Sequence, residues 1–349
     1  MKKFAALALA LAMMTSLVAC GGGDRPAAST PAASTPAASA PAEGGVTGDK
    51  ITISLFAGSI GKNTPTGGAL EVMAQHINDN SNGTITAQTF YDTELGDATS
   101  MVQGLQQGTI DIGVSGTAYF SGLIPEIEVF QLPFLFGSLE EAREATGGPV
   151  ADIINKKFED VGIVGLSFWE NGFRELSNNV RPVVTPADLN GIKMRTLPSE
   201  IQVGCWQAMG ALPTTIDAAE LYTALQQGTV SAQDNPLHEI VSRKFYEVQP
   251  YITLTDATYT PFYMAMSKIT WDAMSESQQQ LIVEAAAVGR AAQQGLNEEA
   301  TAAATQTLLD AGCTIEENPD KAAFQEIAMG VWSLFTDKYG TELLDMIQG

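Results

Sequence analysis

Arg195 ends a block, Thr185-Pro186-Ala187-Asp188-Leu189-Asn190-Gly191-Ile192-Lys193-Met194-Arg195, whose residue types fix its local structure. Thr185 is an N-cap, Pro186 suits the first helical position, and Gly191 ends a single helical turn. The strand that follows alternates, sending Ile192 and Met194 one way and Lys193 and Arg195 the other. A guanidinium leaving a strand near its end can grip a carboxylate with two parallel hydrogen bonds, which an ammonium cannot do. The alternative is an Arg spent on an ion pair of the protein's own. Arg174, after Asn171-Gly172-Phe173, is a second candidate, and it could instead brace Glu170 or Glu220. Asn235 precedes Pro236 and is either a contact or the start of a turn. Asp97 is first a helix cap and only second a ligand contact. Trp169, Phe173, Tyr119 and Tyr259 lie near the same segments, each equally a core residue or a pocket wall.

Residue types for catalysis or metal binding are sparse. The chain has two His, His76 and His238, and three Cys, with no CxxC, HExxH, P-loop or GxSxG pattern. Ser115 lies in Gly113-Val114-Ser115-Gly116-Thr117, which lacks the final Gly. Asn78-Asp79-Asn80-Ser81-Asn82-Gly83 has the look of a calcium loop but puts Thr89 where a bidentate carboxylate belongs, so it reads as a helix end and turn. Neither His has an evident Ser or Cys partner. No catalytic residue, metal or cofactor is expected.

Composition narrows the partners. The net charge is −22 over 349 residues. Two of the 18 basic residues, Lys2 and Lys3, precede an apolar run, so the remainder carries 16 against 40 acidic residues, a net of −24. Such a surface repels nucleic acid and anionic headgroups. An anionic ligand then requires a local cationic pocket, which gives the few Arg residues their weight.

The N-terminus reads as an export signal. Met1-Lys2-Lys3 is basic, and Phe4 to Ala19 is an apolar run of about 16 residues, too short to span a membrane comfortably. It ends Leu17-Val18-Ala19-Cys20, resembling the bacterial lipobox, with Cys20 as the lipidated first residue. Residues 21–48 contain a Pro-Ala-Ala-Ser-Thr repeat that has no large apolar side chain, so it reads as a tether and not a core. With Cys20 lipidated, Cys205 and Cys313 remain, and they read as two buried small apolar residues.

The elements that position these residues alternate. Lys50–Phe56 is a strand, Pro65–Asn78 a helix, and Thr84–Tyr91 and Thr109–Ser115 further strands, which together predict an α/β fold with largely parallel sheets. Asp97-Ala98…Leu105-Gln106-Gln107-Gly108-Thr109-Ile110 recurs 120 positions later as Asp217-Ala218…Leu225-Gln226-Gln227-Gly228-Thr229-Val230. In each copy Asp is a plausible N-cap and Gly closes the helix, so two lobes share one helix–strand unit. The offset sets Ser115 against Asn235, each near a strand's C-terminal end, where open α/β sheets bind ligands. Ser275-Glu276-Ser277-Gln278 is a capping box opening a helix to about Asp310. At 1.5 Å per residue, 34 residues is roughly 50 Å, long enough to run across both lobes, with Gly289 and Gly295 as points where it could kink.

From Phe56 onward the chain resembles the DctP-type extracytoplasmic receptors of tripartite ATP-independent periplasmic (TRAP) transporters. The resemblance is carried by Phe168-Trp169-Glu170-Asn171-Gly172-Phe173-Arg174, by the Thr185–Arg195 block, by Glu220-Leu221-Tyr222 through Gly228, by Gln233-Asp234-Asn235-Pro236-Leu237, by Lys244-Phe245-Tyr246-Glu247-Val248-Gln249 and by Met266-Ser267-Lys268, in family order. Glu94-Leu95-Gly96-Asp97 and Leu132-Pro133-Phe134 add to it. It implies a two-lobed periplasmic-binding-protein-like clamshell that closes on a small organic acid and delivers it to membrane permease subunits, without chemistry. It assigns carboxylate binding to Arg195, helped by Arg174 and Asn235. Thr64-Pro65 stands where many members carry His-Pro, and Ala218 where some sugar-acid members carry Phe, so the acid is not named from relatives.

The expected organisation is a signal peptide over 1–19, the lipidated Cys20 and tether over 20–48, one lobe from 49–171 with 261–300, and a second from 172–260 with 301–349. The protein would be extracytoplasmic and lipid-anchored, at the cell surface or in the periplasm. Two rivals are a clamshell serving a membrane sensor kinase and a lipid-anchored hydrolase.

Overall fold

The computed structural model describes residues 45–349. The signal segment, Cys20 and the tether up to residue 44 lie outside the described residues. The described chain forms eleven strands: β1 (Ile51–Gly58), β2 (Ile85–Asp92), β3 (Ile112–Gly116), β4 (Ile163–Trp169), β5 (Phe173–Asn178), β6 (Lys193–Thr196), β7 (Leu212–Thr215), β8 (Ala232–Asn235), β9 (Tyr251–Tyr259), β10 (Phe262–Ser267) and β11 (Thr314–Glu316). They make two sheets, one ordered β2-β1-β3-β10-β4 and the other β11-β9-β5-β8-β6-β7. Each sheet is the centre of one lobe.

The sheets are mixed, where the sequence predicts largely parallel ones. β10 runs antiparallel to β3 and β4, and β5 antiparallel to β8 and β9. The physical reason lies in the connections. The chain leaves the first sheet at Trp169 and enters the second at Phe173, then returns from Tyr259 to Phe262. Links this short carry a strand straight from one sheet into the other, leaving no room for a crossover helix to reverse it. Asn171 and Thr260, the middles of these links, are therefore fixed at the junction of the lobes, and both border the cavity there.

The repeated unit forms in both lobes, with one difference. Helix Ala98–Gln107 closes at Gly108 with φ 72°, and helix Leu221–Gln226 is followed by Gly228 with φ 73°. The next residues bond back equivalently, Thr109 N–H to Gly104 and Thr229 N–H to Ala224. Asp97 caps its helix through the Ser100 N–H at 2.7 Å. Asp217 does not cap: its helix begins a turn later, after Glu220. The Ala219 N–H bonds the Asp217 carboxylate in a local turn, which delays the helix and frees Asp217 for another partner.

Helix Glu276–Asp310 runs 35 residues behind a capping box of Ser275 and Gln278. It packs along helix Pro65–Asn80 of the first lobe and on helix Leu237–Ser242 of the second. Its apolar face, Leu281, Ile282, Ala285 and Ala286, is buried in the first lobe's core. Gln293 and Asn297 carry on where the lobes meet, bonding the link between β4 and β5: Gln293 Oε1 accepts from Glu170 N–H at 3.1 Å, and Asn297 Nδ2 donates to Glu170 Oε1 at 2.9 Å. At the other end, Thr47 bonds Ser277 Oγ at 3.0 Å, tying the last tether residues to the start of this helix.

Candidate functional site

The cavity between the lobes has about 410 Å³ of space between atoms, part of it open to solvent. Ser59, Ser115 and Tyr119 line it from the first lobe, and Arg174, Arg195, Asn235, Glu239 and Arg243 from the second.

Arg195 reaches it as the local sequence requires. Thr185 and Asp188 complete a capping box around the turn Pro186–Leu189, and Gly191 takes φ 75°. β6 then alternates, with Met194 buried in the second lobe's core and Arg195 on the opposite face. The guanidinium is 1 % exposed. Its Nε donates to the Ile216 carbonyl at 2.8 Å, while Nη2 has no hydrogen-bond partner among the described residues. No carboxylate of the described residues forms a salt bridge with it. Burial lowers its pKa, with the Arg174 charge adding to the effect and Tyr119 opposing it. A buried cation without a counter-ion is costly unless an anion arrives.

Arg174 is differently placed. It too is buried, but its Nε donates to Asp234 Oδ2 at 2.7 Å, and Nη2 also bonds the Asp234 carbonyl. It braces neither Glu170 nor Glu220. Glu170 is instead held by Arg143 Nε at 2.7 Å, and Glu220 sits exposed at a helix start. The reason is register: β5 and β8 pair Leu176 with Asp234, which brings Asp234 beside Arg174 across the ladder. Asn235 ends β8 inside the cavity, its Nδ2 on Gln233 Oε1. The Tyr119 hydroxyl accepts the Ala218 N–H at 3.0 Å, a bond from lobe to lobe.

Four candidates stand outside the cavity lining. Asp97 is a half-buried helix cap. Trp169 is 1 % exposed and packs its indole against Gly289 and Met73 in the first lobe's core. Phe173 and Tyr259 pack edge to face with ring centroids 5.7 Å apart, and Tyr259 packs edge to face with Phe136 at the same distance. These three aromatics support the walls from behind.

Sequence reasoning missed Arg243, Ser59, Asn171, Thr260 and Glu239. Arg243 forms an ion pair with Glu239, and its Nη2 donates to the Ser59 carbonyl at 2.8 Å. Burial alone would lower the Arg243 pKa, but adjacent Glu239 outweighs it and raises it. The same contact keeps the buried Glu239 ionised against its own desolvation. The i, i+4 spacing of Glu239 and Arg243 was a readable helix signal. Of the two His, His238 Nε2 bonds the Asn171 carbonyl at 2.8 Å and His76 Nε2 lies 3.2 Å from Glu284 Oε1.

Residues 56–338 match the family described as bacterial extracellular solute-binding protein, family 7, DctP. The chain belongs to this family. It is 34 % identical over 281 residues to the 2,3-diketo-L-gulonate-binding periplasmic protein YiaO of Escherichia coli, covering 79 % of this chain and 86 % of that one. The TRAP periplasmic solute-binding protein of Polaromonas, solved with bound D-erythronate, superposes with a TM-score of 0.83 at 29 % identity, over 86 % of this chain and 99 % of the other. The sugar-acid-binding protein of Advenella mimigardefordensis, solved with galactonate, gives 0.83 at 31 % identity, over 86 % and 97 %. The family consists of extracytoplasmic solute receptors, not enzymes, and this chain is a two-lobed TRAP solute-binding receptor.

Proposed function

We propose that this receptor captures a small organic acid between its lobes, seats the carboxylate on Arg195, and passes it to TRAP permease subunits in the membrane. The observation that carries this reading is the buried Arg195 guanidinium, which reaches the interlobe cavity with one nitrogen unpartnered and no salt-bridged acid among the described residues. Arg174, held by Asp234, adds positive field beside it, and Asn235 offers an amide at the same wall. Trp169, Phe173 and Tyr259 act as packing behind the wall, and Asp97 as a cap. The relatives with bound D-erythronate and galactonate support an acid ligand.

Closure removes water and so strengthens each charged hydrogen bond. The ligand selects the closed form because only that form contacts it from both lobes. The proposed moving bodies are 49–171 with 261–300 and 172–260 with 301–349, which is supported by the two short links at Glu170–Gly172 and Thr260–Pro261. Lipidation of Cys20 would hold the body near the permease. Fractionation tests this last point: Cys20→Ser should move the protein from the membrane to the soluble fraction, and continued membrane association would refute the anchor.

The central test is a thermal-shift screen of organic acids, since a true ligand stabilises the folded form by mass action. Titration calorimetry of Arg195→Ala with the best hit follows. Affinity should fall by about 2–5 kcal/mol, roughly 30-fold to several thousandfold. An unchanged affinity would reject the assignment.

A further inference from the structure

The lobes meet in two places of different make. At one, the first lobe's turn Pro125–Gln131 lies on the second lobe's helix Glu200–Ala208. Glu128 Oε1 accepts the Glu200 N–H at 3.1 Å, Gln131 Oε1 accepts from Gln202 Nε2 at 3.0 Å, and the Ser121 hydroxyl donates to the Pro198 carbonyl at 3.1 Å. Glu128, Gln131 and Gln202 are each 6 % exposed or less. Gln202 Oε1 in turn accepts the Leu197 N–H at 3.3 Å, two residues after Arg195. Around these bonds the lobes share one apolar core, in which Ile127, Val129 and Phe130 of the first join Leu197, Ile201 and Phe335 of the second. Trp332 Nε1, from the C-terminal segment, donates to the Pro133 carbonyl at 3.0 Å and closes the same contact.

At the other place, Ser59 bonds Asp217, Arg243 bonds the Ser59 carbonyl, and Tyr119 bonds Ala218. Among the described residues the cores stay separate there: Ile60 belongs to the first lobe's own cluster and Leu221 to the second's. A pocket lies outside this contact, lined by Asp92 and Thr93 from the first lobe and by Ala218 and Ala219 from the second. Parting the lobes here breaks hydrogen bonds that water replaces at a small net loss. Parting them at the first place uncovers the shared core, at a cost that grows with the apolar area exposed. We propose that the buried contact through Glu128 and Gln131 is a fixed pivot, and that the lobes part at Ser59–Asp217 while it stays shut. Arg195, two residues from Leu197, then keeps its place beside the turn Thr117–Phe120, whose next residue, Ser121, bonds Pro198. The Ser59 wall is the one that swings away.

Spin-label distance measurements on the ligand-free receptor test this. One pair of labels spans the opening side, on Thr93→Cys and Ala219→Cys. The other spans the pivot, on Gly122→Cys and Glu200→Cys. All four positions are exposed, and nothing lies within 4 Å of a Cβ at Gly122; Cys205 and Cys313 are buried. Each pair is measured in the otherwise unaltered receptor and in Ser59→Ala/Tyr119→Phe, which removes two of the three bonds on the opening side. In at least one of these backgrounds the opening-side pair should lengthen by more than about 2 Å beyond its distance with the lobes joined, and in both the pivot pair should change by less than that. Glu128→Ala/Gln131→Ala should broaden the pivot-pair distances, whereas Glu128→Gln, which keeps an oxygen for the Glu200 N–H, should not. A pivot pair that lengthens with the opening side overturns the proposal, as does an opening side that stays shut in both backgrounds or a pivot indifferent to Glu128→Ala/Gln131→Ala. The comparison of the two pairs stands even if that last variant does not fold. None of these outcomes touches the Arg195 carboxylate seat, because no ligand is present.

Discussion

Ser59 and Asp217 join the two lobes directly, the Ser59 hydroxyl donating to Asp217 Oδ1 at 2.8 Å. The Ser59 hydroxyl oxygen also accepts the Ala98 N–H at 3.0 Å, and the Ser59 carbonyl accepts from Arg243 Nη2. Ser59 holds this position with φ 58°, a left-handed conformation that costs free energy for a non-glycine residue. We predict that this contact latches the two lobes together. Ser59→Ala keeps the carbonyl contact and loses the hydroxyl bond to a carboxylate, worth about 1.5–3 kcal/mol. The predicted effect is faster ligand dissociation with a smaller change in association. Stopped-flow measurement checks this; an unaltered dissociation rate would mean that the bond does not hold the lobes shut.

The Arg174–Asp234 pair should matter for folding more than any exposed pair. Both side chains are 3 % exposed or less. Removing one partner leaves a buried charge unmatched, so Asp234→Ala should destabilise by about 3–5 kcal/mol. Asp256→Ala, which breaks the half-exposed pair with Lys321, should cost no more than about 1 kcal/mol. Urea unfolding of the two variants measures the contrast. Equal losses would mean that Arg174 finds another anion.

What could be read from the chain beforehand follows from range. Arg195 was legible because its cap, turn and strand alternation lie within eleven consecutive residues. The spanning helix was legible from its capping box, and the paired lobes from Gly108 and Gly228 with their matched flanks. Arg174 was legible as a candidate, but its partner Asp234 lies 60 residues away and is chosen by strand register, which local spacing does not encode. The Arg243–Ser59 contact spans 184 residues and exists only when the lobes meet. The mixed sheets depend on two short links crossing between lobes, and periodicity is blind to strand direction. Trp169 had two equal readings on sequence, and what decided between them was a glycine on a distant helix.

That glycine, Gly289, is constrained by packing. A Cβ there would lie 2.7 Å from Trp169 Cζ2 and 3.2 Å from Met73 Cβ. Gly→Ala inside an exposed helix normally stabilises by up to about 1 kcal/mol. Here the methyl must displace an indole next to the link between the lobes, so Gly289→Ala should instead destabilise by about 1–3 kcal/mol. Gly295, on the same helix with nothing within 4 Å of its would-be Cβ, is the control, and Gly295→Ala should be neutral or stabilising. If both variants gain stability, the Trp169 contact is not tight.

Glu175 gives stability a pH dependence opposite to that of ordinary paired carboxylates. It follows Arg174 on β5, pairs with Asn235 across β5 and β8, and is 5 % exposed. Burial raises its pKa well above the usual carboxylate range; the Asp256 charge adds to this, and Lys321 and the Asp256 N–H bond oppose it. In the unfolded chain a glutamate ionises near about pH 4.3. Between that value and the higher folded one, unfolding releases a proton, so stability falls as pH rises. The loss is absent below the unfolded pKa and complete above the folded pKa. Glu175→Gln retains an oxygen for the Asp256 N–H and removes the ionisation. The variant should therefore melt higher than the parent at about pH 7, and the difference should shrink toward about pH 4. Paired thermal melts across this range decide it: a variant less stable at neutral pH, with no convergence in acid, would mean that Glu175 is ionised and supported in the fold.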